Sequence, residues 1–353
     1  MRLLYDKVYE QIRKTDFESL WKGFHAYHFA LYNSDSVYFK DKTGDYEECF
    51  LGNTSIKYGD EQIAIWRVDD YTKEDPVLLA ANIIHEMFHA YQYECREKRF
   101  PDDLKALDYP IVSDNILLKY AENQQIVKAV KSNDRRIIKE CLSSVFASRA
   151  RRKELIKEYI DYEYKMETVE GMAEYIGLCA LKQLEHEKYE NKINKYIDNL
   201  TDTDNFLFDN RRLAYYSGCL LLIALKQADI CFFHDISKET KTVYELISEG
   251  FPAADLPEIL HKDAIEESLK RYIDNRKKLF SDFFSKNPEC TEKPYKICGY
   301  DPMNMVKLDN LVWCKYFVML KEKAKEDPLL IYNQVVLKVD ETDTTSVSAY
   351  YTV

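Results

Sequence analysis

Pro76-Val77-Leu78-Leu79-Ala80-Ala81-Asn82-Ile83-Ile84-His85-Glu86-Met87-Phe88-His89-Ala90-Tyr91 is the stretch on which the fold turns. Pro76 suits the first position of a helix, where its missing N–H has no intrahelical partner to lose. Apolar residues then recur at Leu79, Ile83, Met87 and Tyr91, a helical period that Phe100-Pro101 ends. Residues four apart on a helix stand one above the other, so His85 and His89 aim two imidazoles at one point. Glu86 lies about 100° further round, placed to act on a water at that point without taking a ligand's place. Two imidazoles are half of a tetrahedral zinc site, and the carboxylate can act as base towards a water that zinc has acidified. With only seven histidines in the chain, chance produces this HExxH pattern in roughly one such sequence in a hundred.

A hydrolytic zinc centre needs a third protein ligand and leaves a fourth position open. The continuation HExxHxxGxxH fails, because Gln92 stands in place of the Gly and Cys95 in place of the last His. Further on, Glu163, Glu167, Glu170 and Glu174 succeed one another at spacings of four, three and four. On an unbroken helix they share one face. Four carboxylates without interleaved Lys or Arg repel by a few tenths of a kcal/mol per pair, a repulsion that a metal, histidines and basic neighbours would relieve. Gly171, Ala173 and Gly177 would let another helix approach closely. On spacing alone, Glu163, Glu167 and Glu170 all remain candidates for the third ligand.

Val169-Glu170-Gly171-Met172-Ala173-Glu174-Tyr175 resembles the N-E-G-F-A-x-Y helix of the gluzincin aminopeptidases. The resemblance implies Glu170 as the third zinc ligand and Glu174 as the carboxylate that orients a ligand histidine from behind. It also implies a β-strand edge just before the zinc helix, pairing with an extended substrate; Gln62-Ile63-Ala64-Ile65-Trp66-Arg67-Val68 would be its counterpart. A Tyr or His after the glutamate helix would then stabilise the oxyanion. Tyr216 is the preferred residue, with Tyr215 and His234 as alternatives. The likeness spans roughly residues 55 to 225 and is strong at the two motifs alone. It departs from the family in lacking G-x-M-E-N and in placing about 80 residues between His89 and Glu170, so exopeptidase specificity is not implied.

Composition narrows the partners. Fifty basic against 61 acidic residues give a net charge of −11, which disfavours nucleic acid and anionic lipid. Arg149-Ala150-Arg151-Arg152-Lys153 is the one candidate basic patch, and a helix surface explains it as well. The nine cysteines are scattered and never spaced as CxxC, which argues against a thiolate zinc knuckle and a disulfide scaffold. A cytoplasmic protein is expected, because the N-terminus turns charged before an apolar segment develops. The longest apolar run, Cys219 to Leu225, is too short to span a bilayer.

Residues 3–32 read as one or two helices, with Trp21, Phe24, Tyr27, His28 and Leu31 on one side. Residues 37–68 read as a small antiparallel sheet with a hairpin at Tyr58-Gly59-Asp60-Glu61. Helical patterns cover 113–146, an almost breaker-free stretch over 147–186, then 211–227 and 264–284, and β texture returns from Tyr295. The expected class is α+β, zincin-like and mostly helical, with a catalytic domain over 1–290 and a β-rich region over 291–353 packed on it. The expected activity is zinc-dependent hydrolysis of a peptide or protein substrate, with Zn2+ on His85, His89 and Glu170 and with Glu86 as general base. A zinc hydrolase of a non-peptide amide and a non-catalytic protein-binding module are the alternatives. Glu86, which a scaffold would not need, speaks against the second of these.

Overall fold

The computed structural model describes residues 1–353 except 323, 324 and 326. The chain opens with α1 (Arg2–Ile12) and α2 (Phe17–Leu20), followed by β1 (His28–Tyr32), β2 (Ser36–Tyr38), β3 (Thr43–Asp45), β4 (Thr54–Tyr58) and β5 (Glu61–Arg67). Next come α3 (Pro76–Glu94), α4 (Asp103–Ala106), α5 (Ser113–Lys131), α6 (Arg135–Ile156), α7 (Ile160–Met166) and α8 (Met172–Leu184). Then come α9 (His186–Leu200), α10 (Asn210–Gln227), α11 (Val243–Ser248) and α12 (Lys262–Phe284). The remaining strands are β6 (Glu289–Tyr300), β7 (Met305–Leu308), β8 (Leu311–Cys314), β9 (Phe317–Glu322), β10 (Leu329–Tyr332), β11 (Val335–Val339) and β12 (Ser346–Thr352). The class is α+β.

Helix α3 is the central element. Its start is fixed by Asp75, whose carboxylate accepts from the backbone N–H groups of Val77 and Leu78 at 2.9 and 3.1 Å. From Leu79 to Ala90 every residue except Asn82 is buried, so the helix is enclosed all round rather than amphipathic. It packs against α1, β5 and α8. Trp21 and Phe24 meet Phe88 edge to face, with ring centroids 5.6 and 5.2 Å apart. These two aromatics therefore pack on α3 from an irregular segment, and residues 28–32 form a strand. The helical reading of residues 21–32 mistook a contact surface on α3 for a period.

The first sheet has the order β3-β2-β1-β5-β4. It is antiparallel apart from β1 and β5, which run parallel with His28 opposite Ile63. The expected hairpin is present: Tyr58 pairs with Glu61, and Gly59 takes a φ of +62° that a side chain disfavours. The strand expected as a free edge, β5, lies inside the sheet. Its neighbour β4 carries the edge instead, because β1, read as helix, occupies the other flank of β5.

Residues 147–186 do not form one helix. The chain reverses at Lys157, whose φ is +51°, and α7 runs back along α6. No Gly, Asn or Pro marks this turn. Between α7 and α8 the rod continues through a single π turn, Glu167–Gly171. A π turn takes one residue more than an α turn, which shifts the phase of α8 against α7 by about 100°. The four carboxylates are thereby divided. Glu163 and Glu167 face α5 and α6, while Glu170 and Glu174 face α3.

The first pair enters a buried ionic network. Arg149 forks onto Glu167 at 2.6 and 2.8 Å and reaches Glu122 at 3.0 Å. Arg152 binds Glu122 at 2.7 Å and also Glu163, and Lys119 binds Glu163 at 2.8 Å. None of these six side chains is more than 3 % exposed. The basic segment read as a possible patch thus places Arg149 and Arg152 in the interior. Despite the desolvation of burial, Lys119, Arg149 and Arg152 hold the Glu122 carboxyl below its usual range, and Arg152 and Lys119 do the same for Glu163. Carboxylates with depressed folded-state pKa stabilise the fold above their ordinary value of 4.5, and that contribution is lost as pH falls through the depressed value. Circular dichroism against pH is therefore expected to show one cooperative acid transition below the ordinary value of 4.5. A gradual loss of signal beginning above it would contradict the network's role.

The C-terminal sheet is antiparallel with the order β10-β9-β6-β12-β11-β8-β7. Its alternating residues serve two faces. Val335, Leu337 and Val339 join Leu104 of α4 in one cluster, and Val336 joins Trp313, Phe280 and Phe283 in another. The sheet begins at Glu289. Lys307 of β7 pairs with Asp108 after α4.

Candidate metal centre

Helix α3 presents His85 and His89, and the π turn presents Glu170 opposite them. His89 Nε2 lies 3.1 Å from His85 Nε2 and 3.1 Å from Glu170 Oε2, and His85 Nε2 lies 3.7 Å from the same oxygen. One atom from each residue can be chosen so that all lie within 4.8 Å of one another, and this group could hold a metal ion. Close approach of the helices makes the convergence possible. A Cβ on Gly177 would come within 3.0 Å of Ala81 O and 3.2 Å of His85 Cβ, and one on Gly171 within 2.8 Å of Gly218 Cα in α10. These two glycines are where the sequence expected helices to meet.

Each imidazole is oriented from behind. His85 Nδ1 lies 3.0 Å from Glu174 Oε2, and Glu174 is itself held by Lys192 Nζ at 3.1 Å and by the Tyr196 hydroxyl. His89 Nδ1 lies 2.8 Å from Gln92 Oε1, and the same Gln donates from Nε2 to Val169 O at 2.9 Å. Both ring Nδ1 atoms thus have outward acceptors for their protons, so that a metal replacing the inner protons would find both Nε2 lone pairs directed at the common point. Glu86 is buried beside them.

The electrostatics favour positive charge there. Burial opposes protonation of His85, yet hydrogen bonds to Glu170 and Glu174 outweigh it and push the pKa up to about 10. Burial likewise opposes ionisation of Glu170, and the charge of His89 with hydrogen bonds from both imidazoles holds it well below the usual range. Burial raises Glu86, with the two imidazoles pulling the other way. A cation bound between the imidazoles and Glu170 would meet the demand that these groups otherwise meet by holding protons.

Compared with protein-family models, curated proteins and solved structures, the chain matches none of them. The geometry therefore stands on its own.

Of the residues expected from the sequence, the structure gathers His85, Glu86, His89, Glu170 and Glu174 in one place. It separates Glu163 and Glu167 from them. Tyr216, the preferred oxyanion donor, stacks on Tyr196 and Phe206 at 4.4 and 5.7 Å, one helical step away from the imidazoles. Its neighbour Tyr215 is the residue that faces the centre, with its ring parallel to that of His85 at 6.4 Å. The Tyr215 hydroxyl accepts from Arg211 Nη2 at 3.4 Å, and that nitrogen lies 3.6 Å from Glu170 Oε1. His234 sits elsewhere, edge-on to Trp21, with Nδ1 donating to Phe232 O at 3.0 Å.

Gln92, Lys192, Tyr196 and Arg211 were not assigned roles from the sequence. For Gln92 a signal existed, since it comes three residues after His89 on the same helix. Lys192 and Tyr196 lie four apart on α9 among other charged residues, and nothing local sets them apart.

Proposed function

We propose that the protein is a zinc-dependent peptidase whose metal is held by His85, His89 and Glu170. The observation that carries this reading is the triangle of ligand atoms together with its two oriented imidazoles. A tetrahedral zinc with bonds of about 2.0–2.1 Å spaces its nitrogen and oxygen ligands about 3.3–3.4 Å apart. The three edges here are 3.1, 3.1 and 3.7 Å. Two imidazoles and one carboxylate, with no thiolate, also form a ligand set used by hydrolytic zinc sites. The motif around Glu170 resembles that of the gluzincins in the same sense.

When bound, zinc supplies Lewis acidity, which lets water ionise near neutral pH and polarises a carbonyl. The chain does the rest. Glu174 and Gln92 fix the tautomers of His85 and His89, and Lys192 and Tyr196 keep Glu174 in place. Glu86 receives the proton of the attacking water on its carboxylate and passes it to the departing amine. Tyr215 and Arg211 stand as donors beside the centre for charge that develops on the carbonyl oxygen. The open edge of β4, next to the strand that packs on α3, supports an extended substrate. The nine cysteines, none of them in a disulfide, support work in a reducing compartment such as the cytoplasm. Among the described residues no helix is long and apolar enough to cross a membrane.

Metal analysis of the purified protein is expected to give one equivalent of zinc, lost in both His85→Ala and Glu170→Ala. Full occupancy in Glu170→Ala would remove the third ligand. A mixed peptide library incubated with the zinc-loaded protein is expected to be cleaved, and a chelator to stop the cleavage. An intact library with zinc fully bound would favour the protein-binding module instead.

A further inference from the structure

A cavity of about 300 Å³ lies where α4, α10 and α12 meet β7 and the turn at Pro302–Asn304. Asp103, Arg211, Tyr272, Arg276, Met303 and Lys307 are among the residues that line it. It adjoins the candidate metal centre through Arg211, which lines the cavity and reaches Glu170.

Its cations are unequally satisfied. Lys307 Nζ is bound by Asp108 and by Thr344 Oγ1. Arg211 is bound by Asp103 through Nη1, yet its Nε is buried without a hydrogen-bond partner among the described residues. Arg276 donates to the Lys307 carbonyl and lies over the Tyr272 ring at 5.6 Å. Among the described residues no carboxylate comes within ion-pair distance of Arg276, and its Nε too is buried without a partner. A buried donor left unpaired is costly, and guanidinium N–H groups of two residues that line this cavity share that condition.

A guanidinium edge matches the planar two-oxygen face of a carboxylate. The cavity also holds Asp103 and Asp209, which would repel a doubly charged phosphate more strongly than a single carboxylate. Met303, Met305 and Val306 add an apolar wall for the carbon chain that bears it. We propose that this cavity binds a carboxylate of the substrate through Arg276 and Arg211, so that the metal centre cuts a bond near an acidic end or acidic side chain of a peptide. The C-terminal sheet thus contributes to specificity, since its turn and β7 close the cavity. The proposal rests on the peptidase reading for what the site serves, and on the cavity alone for what it binds.

Calorimetric titration with glutarate tests the binding directly, on zinc-loaded and chelator-treated protein alike. Wild type is expected to bind glutarate and to ignore glutaramide. Arg276→Gln is expected to weaken glutarate at least about tenfold, the loss of one charge-assisted hydrogen bond, while Arg276→Lys retains part of the affinity. Equal affinity in wild type and Arg276→Gln, with both folded, overturns the proposal. Acetylated peptides ending in a free acid, in an amide, or in an amide after a penultimate Glu then distinguish the two sources of the carboxylate. Equal cleavage of amidated peptides with and without the Glu, and of the free acid, would overturn the assigned specificity. Glutarate binding that depends on Arg276, with no peptide cleaved, would instead sink the peptidase reading and leave the anion site standing.

Discussion

Replacing Arg152 with Met is expected to lower the free energy of unfolding by about 3–5 kcal/mol, the usual cost of removing one partner from a buried ion pair. Arg152 has no exposed side-chain surface and serves Glu122, Glu163, Asn115 Oδ1 and the Tyr109 hydroxyl. The methionine fills much of the volume but leaves three buried carboxylates to two cations. Most of the loss is that desolvated charge rather than the attraction itself. Urea denaturation of metal-free protein checks it, because metal binding would otherwise add its own stabilisation. A midpoint equal to that of wild type would show that water enters the network and screens it. The candidate metal centre shares its glutamate helix with this network, so a second readout is zinc affinity, expected to weaken in the same variant.

The second large effect concerns Glu86→Gln. Cleavage is expected to fall by about 10²–10⁴-fold, the range of a positioned general base, with zinc content and thermal stability unchanged. The side chain is buried beside the imidazoles but outside the ligand triangle. Gln keeps its shape and gives up the ability to accept a proton. This separates the base from the ligands, whose loss would remove metal and activity together. A Gln variant with undiminished turnover would assign proton transfer to another group.

The site was legible in the sequence where its geometry is local. The His85, Glu86 and His89 spacing fixes a common point on any helix, and the Glu170-Gly171 step marks both the proposed third ligand and the close contact that brings it near. Where geometry depends on a break in regularity, the sequence was silent. The reversal at Lys157 has no glycine or proline, so residues 147–186 read as one helix and the arginines of α6 read as surface. The π turn leaves no compositional mark either, and four glutamates on one face was the direct consequence. Tyr215 and Tyr216 are adjacent and chemically alike, so only the rotation of α10 could decide between them. The parallel pairing of β1 with β5 lay beyond local pattern altogether, since it joins segments on either side of three other strands.

The π turn gives length and composition different standing in this segment. Glu163 and Glu167 answer to the arginines, and Glu170 and Glu174 to the histidines, because one extra residue lies between the two pairs. Many side chains here could change while both sets of contacts survived. Losing Thr168 or Val169 would leave every carboxylate in the sequence and return the rod to an even α-helix, yet the spacings would become four, two and four, and the two pairs would still stand about 200° apart. What merges the two sites is instead a change of winding at constant sequence: the same residues drawn into an even α-helix, with none lost, would set all four carboxylates against a single face.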